Sequence, residues 1–219
     1  MMQITSYINT DLLPLSPQDP MEKLFNYFEK HTYTHMPIVT DDKLLGNIAE
    51  DDLQGFNREE KIEAYLYAAD LFFVRQTTNW ISVLETFSKN ETNIMPVLNA
   101  YDNYLGYYDL VDIMSFFRET PFLKEPGGII IVEKGIKDYS FSEISQIVES
   151  NNGKLLGGFI SRIEDDMVQI ILKIGTPELN AIMQTFRRYS YKIVFGNEKD
   201  TYLENLKDRS EYLNRYLNM

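Results

Sequence analysis

Two stretches of the chain share one arrangement of residues that could take part in binding chemistry. Gly46 is followed six positions later by Asp52, and Gly106 is followed six positions later by Asp112. A carboxylate near the start of a helix can accept hydrogen bonds from a ligand or from the free backbone N–H groups of that helix. The repeated pattern therefore marks two candidate binding positions, and helix capping is the alternative role for the same carboxylates.

The two histidines could also bind a ligand. His31 and His35 are four residues apart, which is the spacing of two metal ligands on one helix face. No third ligand and no glutamate general base follow at the expected spacing, so we predict no metal site.

The composition argues against an enzyme. The chain has no cysteine and only two histidines among 219 residues. The lack of cysteine removes thiolate nucleophiles, thiolate zinc sites, iron–sulfur clusters and disulfides. Histidine is the usual acid or base near neutral pH, so little remains for catalysis and we expect a non-catalytic protein.

The charge and hydropathy limit the partners. A formal net charge of −12 repels nucleic acids and anionic membranes unless a strong basic patch offsets it, and the densest basic residues are only Arg187-Arg188 with Lys192. No run approaches the roughly 18 apolar residues of a membrane span. The N-terminus has no basic region followed by an apolar run. We therefore expect a cytoplasmic protein without a signal peptide.

The glycine and aspartate pairs belong to a longer internal repeat. Met36-Pro37 and Met95-Pro96 are 59 residues apart, and the loop from proline to glycine differs by one residue between the copies. The upstream apolar positions have the 0, 3, 4, 7 spacing of one buried helix face in both copies. These positions are Met21, Leu24, Phe25 and Phe28 in the first copy and Trp80, Val83, Leu84 and Phe87 in the second.

Each copy predicts the same order of elements. A short extended segment precedes the amphipathic helix, and a strand begins at the proline, where a missing N–H is tolerated. A polar turn, a second strand and a helix near Glu50 or Asp109 follow. Between the copies, Asn57 and Glu60 predict a capped connecting helix.

The β-α-β-β-α order, the proline-led strand and the glycine-to-aspartate spacing resemble the CBS domain, and the tandem copies resemble a Bateman module. The resemblance covers about residues 1–120, with a first repeat at 1–58 and a second repeat with its linker helix at 59–122. It implies two domains packed through their sheets, with clefts that hold an adenosine nucleotide. No cofactor is required, and AMP, ATP or another adenosyl compound is the implied ligand.

The resemblance also implies roles for single residues. In the family, the aspartate binds the ribose hydroxyls and a serine or threonine three residues before it contacts phosphate. Here Asp52 and Asp112 keep the carboxylate, but Ala49 and Asp109 replace the hydroxyl residue. The predicted nucleotide-binding residues are His35, Pro37, Ala49, Asp52, Asp109 and Asp112.

The two clefts are predicted to be unequal. His35 stands where the family often has a basic residue facing phosphate, whereas the second copy has Ile94 there. Asp109 would repel a phosphate about 4 Å away by roughly 1 kcal/mol in water and about 4 kcal/mol at an effective dielectric of 20. A helix N-terminus returns only about 0.3–1 kcal/mol. We therefore expect the first cleft alone to accept a phosphorylated ligand well.

The remaining chain predicts a third unit. Residues 127–197 have the β-α-β-β-α-β order of a ferredoxin-like split unit and resemble an ACT domain, so the fold class is mixed α/β (α+β). An ACT domain after a CBS pair resembles acetoin-utilisation-type regulatory proteins. The family's turn of proline and glycine is replaced by Asp138-Tyr139-Ser140-Phe141, which argues against amino-acid sensing. Residues 198–219 predict a final helix at Thr201–Leu217.

Two functions remain open from the sequence. The first is a regulatory protein that senses an adenosine nucleotide or a related metabolite. The alternative is a ligand-free homodimeric scaffold that binds an unknown protein partner. Ala49 and Asp109 favour the scaffold, whereas His35 and the two retained aspartates favour the sensor. Both family resemblances imply self-association, so we expect a homodimer.

Overall fold

The computed structural model describes residues 4–176 and 178–196. The chain divides into two compact units, Met1–Arg118 and Glu119–Met219. In the described residues, no helix is both long and apolar enough to cross a membrane.

The first repeat lies in the first unit, after a short 3-10 helix at Ile4–Tyr7. Its elements are α1 (Met21–Lys30), β1 (His35–Thr40), β2 (Lys43–Ala49) and a 3-10 helix at Glu50–Gly55. Helix α1 buries one face that includes Met21, Leu24 and Phe28, as its 3.6-residue periodicity predicted. This face, the two strands and the later 3-10 helix at Ile62–Ala68 form one hydrophobic core.

The second repeat has its own core. Its elements are β3 (Val74–Arg75), α2 (Trp80–Lys89), β4 (Ile94–Leu98), β5 (Tyr104–Asp109) and α3 (Leu110–Arg118). Helix α2 starts at a true cap, because the Asn79 side chain accepts a hydrogen bond from the Ser82 N–H at 3.0 Å. The sheet order is β3-β4-β5.

The repeat seen in the sequence is reproduced in the backbone register. Leu15 forms a parallel bridge with Ile38, and Val74 pairs in parallel with Val97. Both partners are displaced by 59 residues between the copies. The antiparallel ladders also shift register at the same point, directly after Ile38 and directly after Val97. The two copies therefore share one architecture, as predicted.

Two predicted helices differ from the structure. After β2 the chain forms a six-residue 3-10 helix, whereas the equivalent segment of the second repeat is the nine-residue α3. The connection between the repeats is also a 3-10 helix, at Ile62–Ala68. The Asn57 side chain accepts from the Glu59 N–H in the preceding turn, at 3.1 Å, and does not cap that helix. Asn57 therefore makes a local side-chain hydrogen bond of the expected kind, but in a turn and not at a helix N-terminus.

The proline-containing strand of each repeat starts two residues before the proline at which it was predicted to begin, since β1 begins at His35 and β4 at Ile94. Proline is tolerated inside β1 because the neighbouring segment forms its hydrogen bonds with the Pro37 carbonyl and the Val39 N–H, and not with the proline nitrogen. Leu15 donates its N–H to the Pro37 carbonyl at 3.2 Å and accepts from the Val39 N–H at 2.8 Å. The nitrogen of Pro37 therefore has no ladder partner to lose.

The segments that precede α1 and α2 cross over between the repeats, and we call them the crossing segments. Asn9, before α1, pairs with Tyr107 in β5 of the second repeat. Asp70, before α2, pairs with Asn47 in β2 of the first repeat. Each crossing pair exchanges two backbone hydrogen bonds of 2.8 to 3.0 Å. Each repeat is therefore completed by chain that belongs to the other, which places Asn9 beside the second repeat and Asp70 beside the first.

The second unit confirms the ferredoxin-like prediction. After the short helix α4 (Pro121–Lys124), its elements are β6 (Gly128–Gly135), α5 (Phe141–Ser150), β7 (Lys154–Glu164), β8 (Met167–Gly175), α6 (Leu179–Arg188) and β9 (Lys192–Phe195). The strands are antiparallel in the order β7-β8-β6-β9. Alternate apolar residues of the sheet and one face of each long helix form a single core.

The C-terminal part of the second unit extends beyond the described residues. The predicted helix at Thr201–Leu217, together with the domain limit at 198–219, falls outside the described residues, as does Pro177. The Thr176 hydroxyl accepts a hydrogen bond from the Glu178 N–H at 3.1 Å, so this threonine contacts the backbone just before α6.

Candidate functional site

The first repeat contains a cavity of about 240 Å³ beside the end of its two-stranded sheet. His35 and Ala49 lie there because they are directly paired across β1 and β2. The remaining lining residues come from the start of the following 3-10 helix and from the end of α2. They are Thr34, Glu50, Asp51, Asn90 and Glu91. The cavity therefore combines predicted residues of the first repeat with residues of the second.

A second depression of about 350 Å³ shares Asn90 and Glu91 with this cavity and is also lined by Asp70, Leu71, Phe72 and Lys89. Residues 70–72 of the crossing segment form one wall of this depression. Asn47 holds that segment in place, because its side-chain amide donates to the carbonyls of Asp70 at 3.1 Å and Phe72 at 3.0 Å. We call the cavity and this depression together the first cleft.

His35 is the most buried polar group of the first cleft, with 8% of its surface exposed. Its Nδ1 lies 2.8 Å from the Thr34 hydroxyl oxygen, and its ring packs edge-on against Phe72 with centroids 5.1 Å apart. Burial lowers the pKa of His35, and the negative charges of Asp70 and the neighbouring acids oppose this without reversing it. At pH 7 the ring is therefore mainly neutral and offers a phosphate no positive charge.

The carboxylates give the first cleft a negative character. Glu50, Asp51 and Glu91 line the cavity itself, and the carboxyl-terminal end of α2 adds the negative end of a helix dipole. Among its described lining residues, the cavity has no lysine or arginine. Lys89, in the adjoining depression, is paired with Glu85 at 2.7 Å. A free phosphate would therefore meet like charges here.

The predicted residues of the first repeat are only partly brought together. Asp52 is exposed and is not among the residues that line either part of the first cleft, although its charge acts on His35. Pro37 is buried within β1 and does not appear among the residues that line the cavity. The capping role for Asp51 and Asp52 is not observed, because the 3-10 helix has Ala49 at its N-cap and no side-chain cap.

The second repeat arranges its equivalent residues differently. Asp109 accepts a hydrogen bond from the Val111 N–H at 2.7 Å, which is the capping role that the sequence left open. Its ladder partner, Ile94, is completely buried. Asp112 accepts a hydrogen bond from the Asn9 side-chain amide at 2.9 Å. Both carboxylates are thus engaged by the protein itself.

Two tyrosine hydroxyls lie close to the crossing segment that carries Asn9. The Tyr107 hydroxyl donates to Asp11 at 2.7 Å, and the Tyr33 and Tyr107 oxygens lie 3.3 Å apart. Burial raises the pKa of both tyrosines, so neither hydroxyl ionises near neutral pH. They act as hydrogen-bonding groups.

Sequence reasoning missed the residues that the crossing segments supply. Asn9 and Asp70 are brought beside the opposite repeat by backbone pairing, and no local pattern predicts such an exchange. One signal was present: Asn47 and Tyr107 both directly follow the repeated glycine, and both anchor a crossing segment.

In the second unit, the altered turn has a structural role. Ser140 is the N-cap of α5, with its hydroxyl oxygen 3.5 Å from the Glu143 nitrogen. The Ser140 N–H donates to the Tyr191 hydroxyl at 3.4 Å, and Lys134 pairs with Glu143 at 2.6 Å. The turn is held by the protein's own side chains.

Known proteins similar to this chain were found at three levels. The family model of the CBS domain matches residues 4–56. A CBS domain-containing protein of Methanocaldococcus jannaschii is 24% identical over 119 residues, which is 53% of this chain and 96% of that protein.

Among solved structures, a CBS domain pair/ACT domain protein from Thermotoga maritima has a TM-score of 0.49 at 15% identity, covering 54% of this chain and 98% of that one. The CBS domains of a transcriptional regulator from Streptococcus pneumoniae have a TM-score of 0.46 at 16% identity, covering 52% and 98%.

The family match covers the first repeat, and the second repeat has the same strand register and the same bulge. The unit that follows has the strand order of the ferredoxin-like fold to which the ACT resemblance pointed. The first repeat therefore matches the CBS-domain family, and the chain as a whole resembles a tandem CBS pair followed by an ACT-like domain.

Proposed function

We propose that this chain is a non-catalytic regulatory protein that senses an adenosyl ligand in the first cleft. The observation that carries the proposal is the construction of that cleft from both repeats, with His35 and Ala49 on one side and Asn90 and Glu91 on the other. A ligand bound there contacts both repeats at once, so binding can change how firmly they are held together. This is the physical requirement for a sensor.

The charge of the cleft favours some adenosyl ligands over others. Two like charges about 4 Å apart repel by about 4 kcal/mol at an effective dielectric of 20, and the cavity presents Glu50, Asp51 and Glu91. A neutral nucleoside, a cationic adenosyl compound or a nucleotide with bound Mg²⁺ avoids this repulsion. We therefore propose that recognition depends on the adenosine part, with the exposed Asp52 accepting from its ribose hydroxyls.

The test is a binding screen on the full chain. Adenosine, AMP, ATP with and without Mg²⁺, S-adenosylmethionine and a set of amino acids are compared by thermal shift and calorimetry. A ligand at 100 times its dissociation constant stabilises the folded state by about 2.7 kcal/mol, which shifts the melting temperature measurably. We expect adenosine, S-adenosylmethionine or magnesium-bound ATP to act more strongly than free AMP. If no adenosyl compound shifts the transition, the sensor proposal is wrong.

The alternative proposal is a ligand-free homodimeric scaffold for a protein partner. It is favoured by the loss of the family's hydroxyl residue at Ala49 and Asp109, and by the engagement of Asp109 and Asp112 with the protein itself. A dimer that binds none of the screened compounds would support this alternative.

Three further expectations belong to either proposal. The homodimer, the cytoplasmic location and the absence of nucleic-acid or membrane binding rest on family resemblance, charge and composition. The net charge of −12 supports the last of these, because phosphate binding requires compensating basic groups.

A further inference from the structure

The two crossing segments place different side chains at equivalent positions. Tyr107 follows Gly106 as Asn47 follows Gly46. Asn9 pairs with Tyr107, and Asp70 pairs with Asn47. Asn9 and Asp70 therefore occupy the same register position, one beside each repeat. One is an amide that can donate two hydrogen bonds, and the other is a carboxylate that can only accept.

This difference decides what happens to the repeated aspartates. In the second repeat, the Asn9 amide donates to the Asp112 carboxylate at 2.9 Å. In the first repeat, the equivalent carboxylate of Asp70 offers only acceptor oxygens, and among the described residues no hydrogen bond or ion pair is made by the Asp52 side chain. The negative charges of Asp70 and Asp52 both act on His35.

The backbone keeps Asn9 in place independently of its side chain. Asn9 donates its N–H to the Tyr107 carbonyl at 2.8 Å and accepts from the Tyr107 N–H at 3.0 Å. The Tyr107 hydroxyl also donates to Asp11, two residues further along the crossing segment, at 2.7 Å. The segment that carries the Asn9 amide is thus held by Tyr107 at two positions, Asn9 and Asp11.

We propose that Asn9 is the specificity-determining residue that blocks the candidate site at Asp112 of the second repeat, because its amide takes the place on Asp112 that a ligand's hydroxyl donors would occupy. The first cleft stays open because Asp70 cannot do the same for Asp52. The inference rests on the proposed function in one respect, namely that these aspartates receive the hydroxyls of an adenosyl ligand. It gives a reason why only one of the two equivalent aspartates would receive a ligand.

The experiment exchanges the two side chains. Calorimetry with adenosine, repeated with magnesium-bound ATP, is carried out on the wild-type chain, Asn9→Ala, Asn9→Asp and Asp70→Asn. We expect one site per chain in the wild type and a second in both Asn9 variants. The gain in affinity at the second site should be about tenfold or more, as expected for the loss of one competing hydrogen bond to a charged group. Asp70→Asn should weaken the first site by a similar factor.

Asn26→Ala is the matched control, because Asn26 lies on α1 and takes no part in the backbone pairing of either crossing segment. Thermal melts show whether each variant still folds. Unchanged stoichiometry in folded Asn9→Ala and Asn9→Asp would overturn the inference, as would two equal sites in the wild type.

Failure of the proposed function is distinguishable from failure of this inference. If the wild-type chain binds no adenosyl ligand, the proposed first-cleft site is wrong, and the Asn9 variants then decide the inference by themselves. A single site gained in Asn9→Ala would support closure by Asn9, and no gain would overturn both proposals.

Discussion

Gly106 lies directly against the backbone of Asn9. A Cβ atom placed on Gly106 would come within 2.3 Å of the Asn9 carbonyl oxygen, and the glycine has a φ of +138° that other residues rarely adopt. The equivalent Gly46 is less constrained, because its Cβ would come within 2.8 Å of the Ala69 Cβ but no closer than 3.4 Å to the Ala69 backbone, and its φ lies outside the left-handed region. The crossing segment therefore tolerates a side chain less well at Gly106 of the second repeat than at Gly46 of the first.

We expect Gly106→Ala to destabilise the protein by about 3 kcal/mol, through backbone strain and steric overlap. Gly46→Ala should cost about 1–2 kcal/mol, because the overlap is with a single Cβ atom and no unfavourable φ is added. Urea unfolding followed by the fluorescence of Trp80, the only tryptophan, measures both in the first unit.

Gly55→Ala is the control, since nothing lies within 4 Å of the added methyl group, and its effect should stay within about 0.5 kcal/mol. Equal losses at Gly46 and Gly106 would contradict the account of the crossing segment.

The two repeated aspartates should differ in their effect on ligand binding. Asp52→Ala removes the exposed carboxylate that we propose accepts from the ribose hydroxyls, and it should weaken adenosyl binding at least about tenfold. Asp112→Ala should barely matter, because Asp112 is already hydrogen-bonded to Asn9. Calorimetry gives both dissociation constants.

Glu59→Ala, at an exposed position of the same unit, controls for the loss of one negative charge. Binding that survives Asp52→Ala but not Asp112→Ala would assign the ligand to the other cleft.

Stability should depend on pH through His35. Its pKa is lowered in the folded protein by burial, so the unfolded chain binds this proton more readily. The contribution of neutral His35 is therefore complete above the unfolded pKa of about 6.5 and is lost as the pH falls below it. His35→Gln should show a shallower loss of unfolding free energy than the wild type between about pH 7 and pH 5.

His31→Gln provides the comparison, because His31 is the other histidine and its side chain is exposed. Urea unfolding at a series of pH values gives the slopes for all three proteins. An identical pH dependence in wild type and His35→Gln would show that this histidine titrates normally.

Light scattering should give about twice the chain mass of 25.7 kDa, in keeping with the preference of soluble oligomers for closed twofold symmetry. The measurement is made at micromolar concentration with and without adenosine, since a regulatory ligand could change the assembly. A single mass of one chain under both conditions would contradict the expected homodimer.

The sequence alone was sufficient for the architecture. The spacing of Met36-Pro37 and Met95-Pro96 predicted two equivalent units, and the structure repeats even the bulge that follows Ile38 and Val97. The β-α-β-β-α-β order of residues 127–197 predicted the ferredoxin-like unit. These features are local, because apolar periodicity and turn residues report which face of a segment is buried.

The short elements could not be predicted in the same way. The segment after Ala49 and the connection at Ile62–Ala68 became 3-10 helices. Short helices depend on tertiary contacts more than on their own propensity.

The difference between the two clefts was decided by tertiary structure. Local sequence placed an aspartate six residues after each glycine and a histidine before Pro37, and it predicted unequal clefts from the charge of Asp109. Only the exchange of segments between the repeats places Asn9 against Asp112 and pairs Asp70 with Asn47 of the first repeat. The residues Asn9 and Asp112 are 103 positions apart, and such a contact depends on backbone pairing between distant strands, which periodicity does not encode.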